Sequence, residues 1–197
     1  LGAGDCANGN GDPIVLYDHL AERWLLTEFS SSGNKLCAYV SQTSNPVTGG
    51  WFAYEFQAPG FPDYPKYAVW PDGYYIGTNE SSPADYVIDR TEMLLGAPAT
   101  MQRFTAPALA GFSFQMLIPA DLDGTTVPPT GAPGYFLRHR DDESHNPPGT
   151  AQDFVEIFEF HADFATPANS TFTGPTLTLI NTTDARRLAL QSQVITK

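Results

Sequence analysis

Basic side chains are scarce in this sequence: ten Lys and Arg stand against 22 Asp and Glu, for a net charge of −12. Such an acidic surface repels phosphate backbones and excludes nucleic acid as a partner, while calcium or a cationic polymer remains compatible with it. Charge of either sign is thin, at 16% of residues, against about a quarter in ordinary globular chains. Cysteine is nearly absent, with only Cys6 and Cys37. They form no Cys-x-x-Cys pair and have no His at ligand spacing, which argues against zinc. No apolar run reaches the roughly 20 residues of a membrane span. Long helices have little room, because seventeen Gly and seventeen Pro interrupt 197 residues. No His-Glu-x-x-His pairing joins His19, His139, His145 or His161, and no Gly-x-Ser-x-Gly elbow supports a nucleophilic serine.

What is present is apolar and aromatic. Hydrophobic residues reach 42% and aromatic ones 13%, a composition that suits strand packing and argues for a folded all-β chain. Asp12-Pro13-Ile14-Val15-Leu16-Tyr17-Asp18, a gap, then Arg23-Trp24-Leu25-Leu26-Thr27 finds an echo downstream. The echo is Asp63-Tyr64-Pro65-Lys66-Tyr67-Ala68-Val69-Trp70, a turn at Pro71-Asp72-Gly73, then Tyr74-Tyr75-Ile76-Gly77-Thr78. A recurrence of that size is the signature of repeat β architectures such as propellers.

Three units of four short antiparallel strands are predicted, over about 11–57, 58–108 and 109–180, with a poorly anchored tail at 184–197. The first unit holds strands at 13–17, 23–29, 36–43 and 51–57. The second holds a hairpin of 67–70 with 74–78, strands at 86–89 and 101–104, and one helical turn at 91–95 capped by Asp89 or Thr91. The third holds strands at 112–117, 135–138, 154–160 and 171–180. Pro13, Pro65 and Pro133 as markers of successive inner strands give steps of 52 and 68 residues. Three blades fall short of the about 4–8 that close a propeller, so an incomplete arc with open edges is expected.

The segments GDPIVLYDHLAERWLLTEF, FPDYPKYAVWPDGYYIGTNE, IPADLDG and FEFHADFATPANSTFTGP resemble a group of secreted bacterial proteins with propeller-like repeats, over most of residues 5–175. The resemblance implies a secreted, extracellular protein whose strand repeats continue beyond Lys197, making that end a truncation or cleavage point. A weaker likeness connects the Asp-Pro strands and Tyr74-Tyr75-Ile76 with inner strands of five-bladed glycoside hydrolases. In those enzymes acidic residues at inner-strand ends face an axial funnel and cleave glycosidic bonds.

Candidate chemistry is sparse. Asp12 and Asp63, at matching points of adjacent repeats, are the catalytic candidates for glycoside cleavage, which needs two flanking carboxyls. The competing and favoured reading is that they cap backbone donors beside proline. Trp70, Asp72 and Tyr74 are candidates for ligand binding, with Trp70 expected to be partly exposed beside the turn. Asp121 and Asp123 have the i, i+2 spacing of calcium loops, although Thr125 and Ala132 break the EF-hand pattern, so a structural Ca2+ is the one cofactor considered. Cys6 and Cys37 are expected to form a disulfide in an exported protein and to stay thiols in a cytosolic one. Asn79, Asn169 and Asn181 begin glycosylation sequons, meaningful only in a glycosylating exporter. The sequence favours an extracellular binding or structural module, not an enzyme, with no nucleic acid and no membrane span. Its expected partner is another protein chain or the rest of its own propeller, with carbohydrate as a further possibility. The alternative is a glycan hydrolase using Asp12 and Asp63.

Overall fold

The structure, a computed structural model, describes residues 2–110, 114–124, 126–141 and 152–180. It is all-β, as expected, and consists of three antiparallel four-stranded sheets. The first runs in chain order through β1 (Ile14–Asp18), β2 (Arg23–Phe29), β3 (Lys35–Ser41) and β4 (Trp51–Gln57). The second follows as β5 (Lys66–Trp70), β6 (Gly73–Thr78), β7 (Ala84–Ile88) and β8 (Met101–Thr105). The third is β9 (Ile118–Pro119), β10 (Gly134–Asp141), β11 (Asp153–His161) and β12 (Thr171–Ile180). Each sheet is a simple meander, and among the described residues no sheet closes on itself.

The sheets stack face to face with the second in the middle. Leu25, Leu36, Val40 and Phe56 of the first sheet pack on Tyr67, Tyr74, Ile76 and Tyr86 of the second. On the opposite face, Trp70, Tyr75 and Val87 pack on Phe136, Phe158 and Phe160 of the third sheet. Period-two alternation therefore sends successive residues of β6 into two different cores, and every residue of β6 and β7 is buried. Gly77 and Gly134 permit the second contact. A Cβ on Gly77 would lie 1.9 Å from the Leu117 carbonyl oxygen, and one on Gly134 would lie 2.1 Å from the Tyr75 ring.

A third, smaller core lies on the outer face of the first sheet, where Cys6, Cys37 and Tyr39 meet. The expected disulfide Cys6–Cys37 is present, with Cα atoms 5.7 Å apart. It holds the short turn Gly4–Ala7 against β3. The helical turn in the second unit is α1 (Arg90–Leu95): Asp89 accepts the Glu92 N–H at 3.1 Å, and Gly96 closes the helix at φ 70°.

The third unit departs from expectation. Its first strand is Ile118–Pro119, and Pro133 precedes the second strand, β10. The first strands begin at Ile14, Lys66 and Ile118, so both steps are 52 residues rather than 52 and 68. Residues 114–117 of the expected 112–117 strand are not in a ladder, and 111–113 lie outside the described residues. The reason is local. Gln115 donates its N–H to Asn79 Oδ1 at 3.0 Å, and its carbonyl accepts from Arg138 at 2.8 Å, so side chains take the place of strand partners. The tail 184–197 and Asn181 also fall outside the described residues.

Candidate functional site

A cleft of about 700 Å³ opens beside the free edge of β1. One wall is β1 with the turn that follows it: Val15, Leu16, Tyr17, His19 and Leu20. The opposite wall is the segment after β9, with Asp121, Asp123 and Gly124. Alternation along β1 turns Ile14 and Leu16 toward the core and leaves Val15 and Tyr17 exposed at 57% and 43%. The Tyr17 ring lies against Trp24, centroids 5.0 Å apart.

Each wall is held by a buried anchor. Asp18 is completely buried at the end of β1. Its Oδ1 accepts from the backbone N–H groups of Leu20 and Ala21, both at 3.1 Å, and so fixes the turn that carries His19. Arg90 of α1 reaches the same carboxylate through Nε at 2.6 Å and Nη2 at 3.0 Å, and the Tyr74 hydroxyl donates to Oδ2 at 2.8 Å. Burial, then the Asp18 charge, drives the Tyr74 pKa far above the usual phenol range. The second wall hangs from Trp70, whose indole N–H donates to the Ala120 carbonyl at 2.5 Å. Asp121 Oδ1 accepts the Val69 N–H at 2.8 Å, joining the loop to β5. Partial burial, reinforced by neighbouring Asp123, raises the Asp121 pKa, while that hydrogen bond and His19 oppose the rise.

The structure thus brings Asp121 and Asp123 to a cleft. Among the described residues, no group of three or more His, Cys, Asp or Glu side chains is placed to hold a metal ion. Trp70 corrects the expectation of partial exposure: it is 4% exposed, stacked on Tyr75 at 5.6 Å and spent on packing and on Ala120. Tyr74 is fully buried in the first core. Asp72 sits in the two-residue turn between β5 and β6 and accepts the Tyr75 hydroxyl on both oxygens at 3.0 Å.

Asp12 and Asp63 lie at the other end of these strands. Asp63 Oδ1 accepts the Tyr64 N–H at 2.9 Å, a local cap. The match between the repeats is offset by one residue. Asp12 at φ 49° and Tyr64 at φ 51° both precede the proline, so Tyr64 is the counterpart of Asp12. Lys66 Nζ rests 3.6 Å from the Tyr64 ring centroid. Burial lowers the Lys66 pKa, and the charges of Asp12 and Asp63 oppose the shift. The two described sequon asparagines are engaged: Asn79 Oδ1 accepts from Gln115, and Asn169 Nδ2 donates to Asp163 at 3.1 Å.

Sequence reasoning missed two buried ion pairs found among the described residues, Asp18 with Arg90 and Arg138 with Glu156. Both join residues well separated in the chain, so no local motif announces them. Compared with protein-family models, curated proteins and solved structures, the chain matches none.

Proposed function

We propose that this chain is an extracellular binding module built of propeller-type blades, completed by further sheets from outside the described residues. The observation that carries the reading is the even 52-residue step of the three first strands, combined with their placement. β5 lies beside both β1 and β9, while the sheets they begin stack face to face. Successive meander sheets around neighbouring inner strands are what blades are. The Cys6–Cys37 disulfide supports an oxidising compartment.

The third sheet offers the docking face. Its outward side carries Ile118, Leu137 and Ile157 in one cross-strand row, with Ile118 and Tyr135 exposed at 38% and 36%. An apolar row on an outward sheet face is a surface for association. Light scattering across a concentration series is expected to show assemblies larger than the 21.4 kDa chain. Leu137→Lys with Ile157→Lys is expected to abolish them. A stable monomer at every concentration, unchanged by these substitutions, argues against the reading. Hydrolysis of a polysaccharide panel that is lost in Asp12→Asn or Asp63→Asn would put a glycan hydrolase in its place.

A further inference from the structure

The cleft beside β1 is chemically one-sided. Among the described residues that line it, none is Lys or Arg, and its ionisable groups are the carboxylates of Asp121 and Asp123 with the His19 imidazole facing them. The wall that carries His19 is otherwise apolar and aromatic, with Val15, Leu20 and the exposed Tyr17 ring. We propose that this cleft binds an organic ammonium ligand of the polyamine class.

Three features select that chemistry. An anion is disfavoured by two carboxylates, faced by a single imidazole, in a chain of net charge −12. A hard dication needs about six to eight oxygen ligands. Here one oxygen of Asp121 is already committed to the Val69 N–H, and among the described residues no third acidic side chain joins the pair. An alkylammonium uses both walls at once. Its charged N–H groups donate to Asp123 and to the remaining oxygen of Asp121, its methylenes lie along Val15 and Leu20, and a second ammonium meets the Tyr17 face. The anchors of both walls, Asp18 at the end of β1 and Trp70 bonded to the opposite loop, hold this arrangement before any ligand arrives.

This inference deepens the binding reading above by naming the ligand class, and the two fail separately, because light scattering reports assembly without ligand. The test is calorimetric titration of the full chain with spermidine, run beside sucrose and calcium chloride at matched ionic strength. Intrinsic tryptophan fluorescence serves as a second readout, since the Trp24 ring lies against Tyr17. Saturable binding of spermidine alone is expected, weakened about tenfold by Asp123→Asn and again by Tyr17→Leu. Both substitutions change exposed side chains, and thermal melts of the variants establish that they fold. The proposal is overturned by absence of saturable binding or by calcium binding as tight as spermidine. Spermidine binding that survives both substitutions unchanged overturns it too, by assigning the effect to the acidic surface as a whole.

Discussion

Asp18 and Arg90 form an ion pair in the interior, with side chains 0% and 10% exposed. Removing one member leaves a buried charge without its partner, a loss of about 3–5 kcal/mol, and the two losses do not add. Arg90→Leu and Asp18→Asn are each expected to lower the urea midpoint strongly. The Asp18→Asn, Arg90→Leu double variant is expected to lower it by less than the sum of the two, because Asn keeps an acceptor for the Leu20 and Ala21 N–H groups and the Tyr74 hydroxyl. Asp85 presents the opposite case. It is 1% exposed, and among the described residues neither carboxylate oxygen has a hydrogen-bond partner. Burial raises its pKa well above the ordinary value of 3.8, against the charges of Arg138 and Arg103, with Glu80 adding to the rise. The folded state thus keeps a proton that the unfolded chain has released. The contribution of Asp85 to stability is full below the unfolded pKa and is lost as pH rises toward the folded one. Urea midpoints of the wild type and Asp85→Asn are therefore expected to diverge in favour of the variant between pH 4 and pH 8. A difference independent of pH would show that Asp85 is ionised in the native state. At this scale the sequence was legible only where chemistry is self-announcing. Two cysteines suggest their own pairing, but Asp18 looks like any turn aspartate. Its burial is decided by an arginine 72 residues away.

Among the elements, β2 and β11 were readable because one face is more deeply buried than the other. β2 alternates along its length, and β11 sets Phe158 and Phe160 against exposed Glu159. β9 escaped because two residues carry no periodicity, and because Pro133 before β10 imitates the proline that precedes β1 and β5. β6 was read correctly as a strand, but its burial on both sides could not be seen in a run as short as Gly73–Thr78. Gly77 is where that double burial is tightest. Gly77→Ala places a methyl 1.9 Å from the Leu117 carbonyl oxygen, and backbone must move to relieve the clash. A loss of about 1–3 kcal/mol is expected by chemical denaturation. Gly124→Ala, where an added Cβ meets none of the described residues within 4 Å, separates the clash from ordinary conformational effects: at φ 90° it carries backbone strain.

Across the whole molecule, the class was legible and the geometry was not. Low charge, abundant aromatics and frequent Gly and Pro specify sheets, and the first two repeats specify their order. The even 52-residue step emerges only when ladders, not prolines, define where each sheet begins. The cleft escaped for a related reason: its walls come from β1 and from a loop about a hundred residues later, joined through Val69 and Trp70 of the sheet between them. That middle sheet also decides the order in which the molecule lets go. Its strands β6 and β7 have no solvent-facing side, so their amides reach deuterium only when neighbouring sheets come away. Native-state hydrogen exchange is expected to be slowest there, with opening energies equal to that of global unfolding, and fastest in β1 and β12 at the edges. A protein arranged in this way comes apart from the outside inward, and its last surviving structure is the part that no ligand or partner touches.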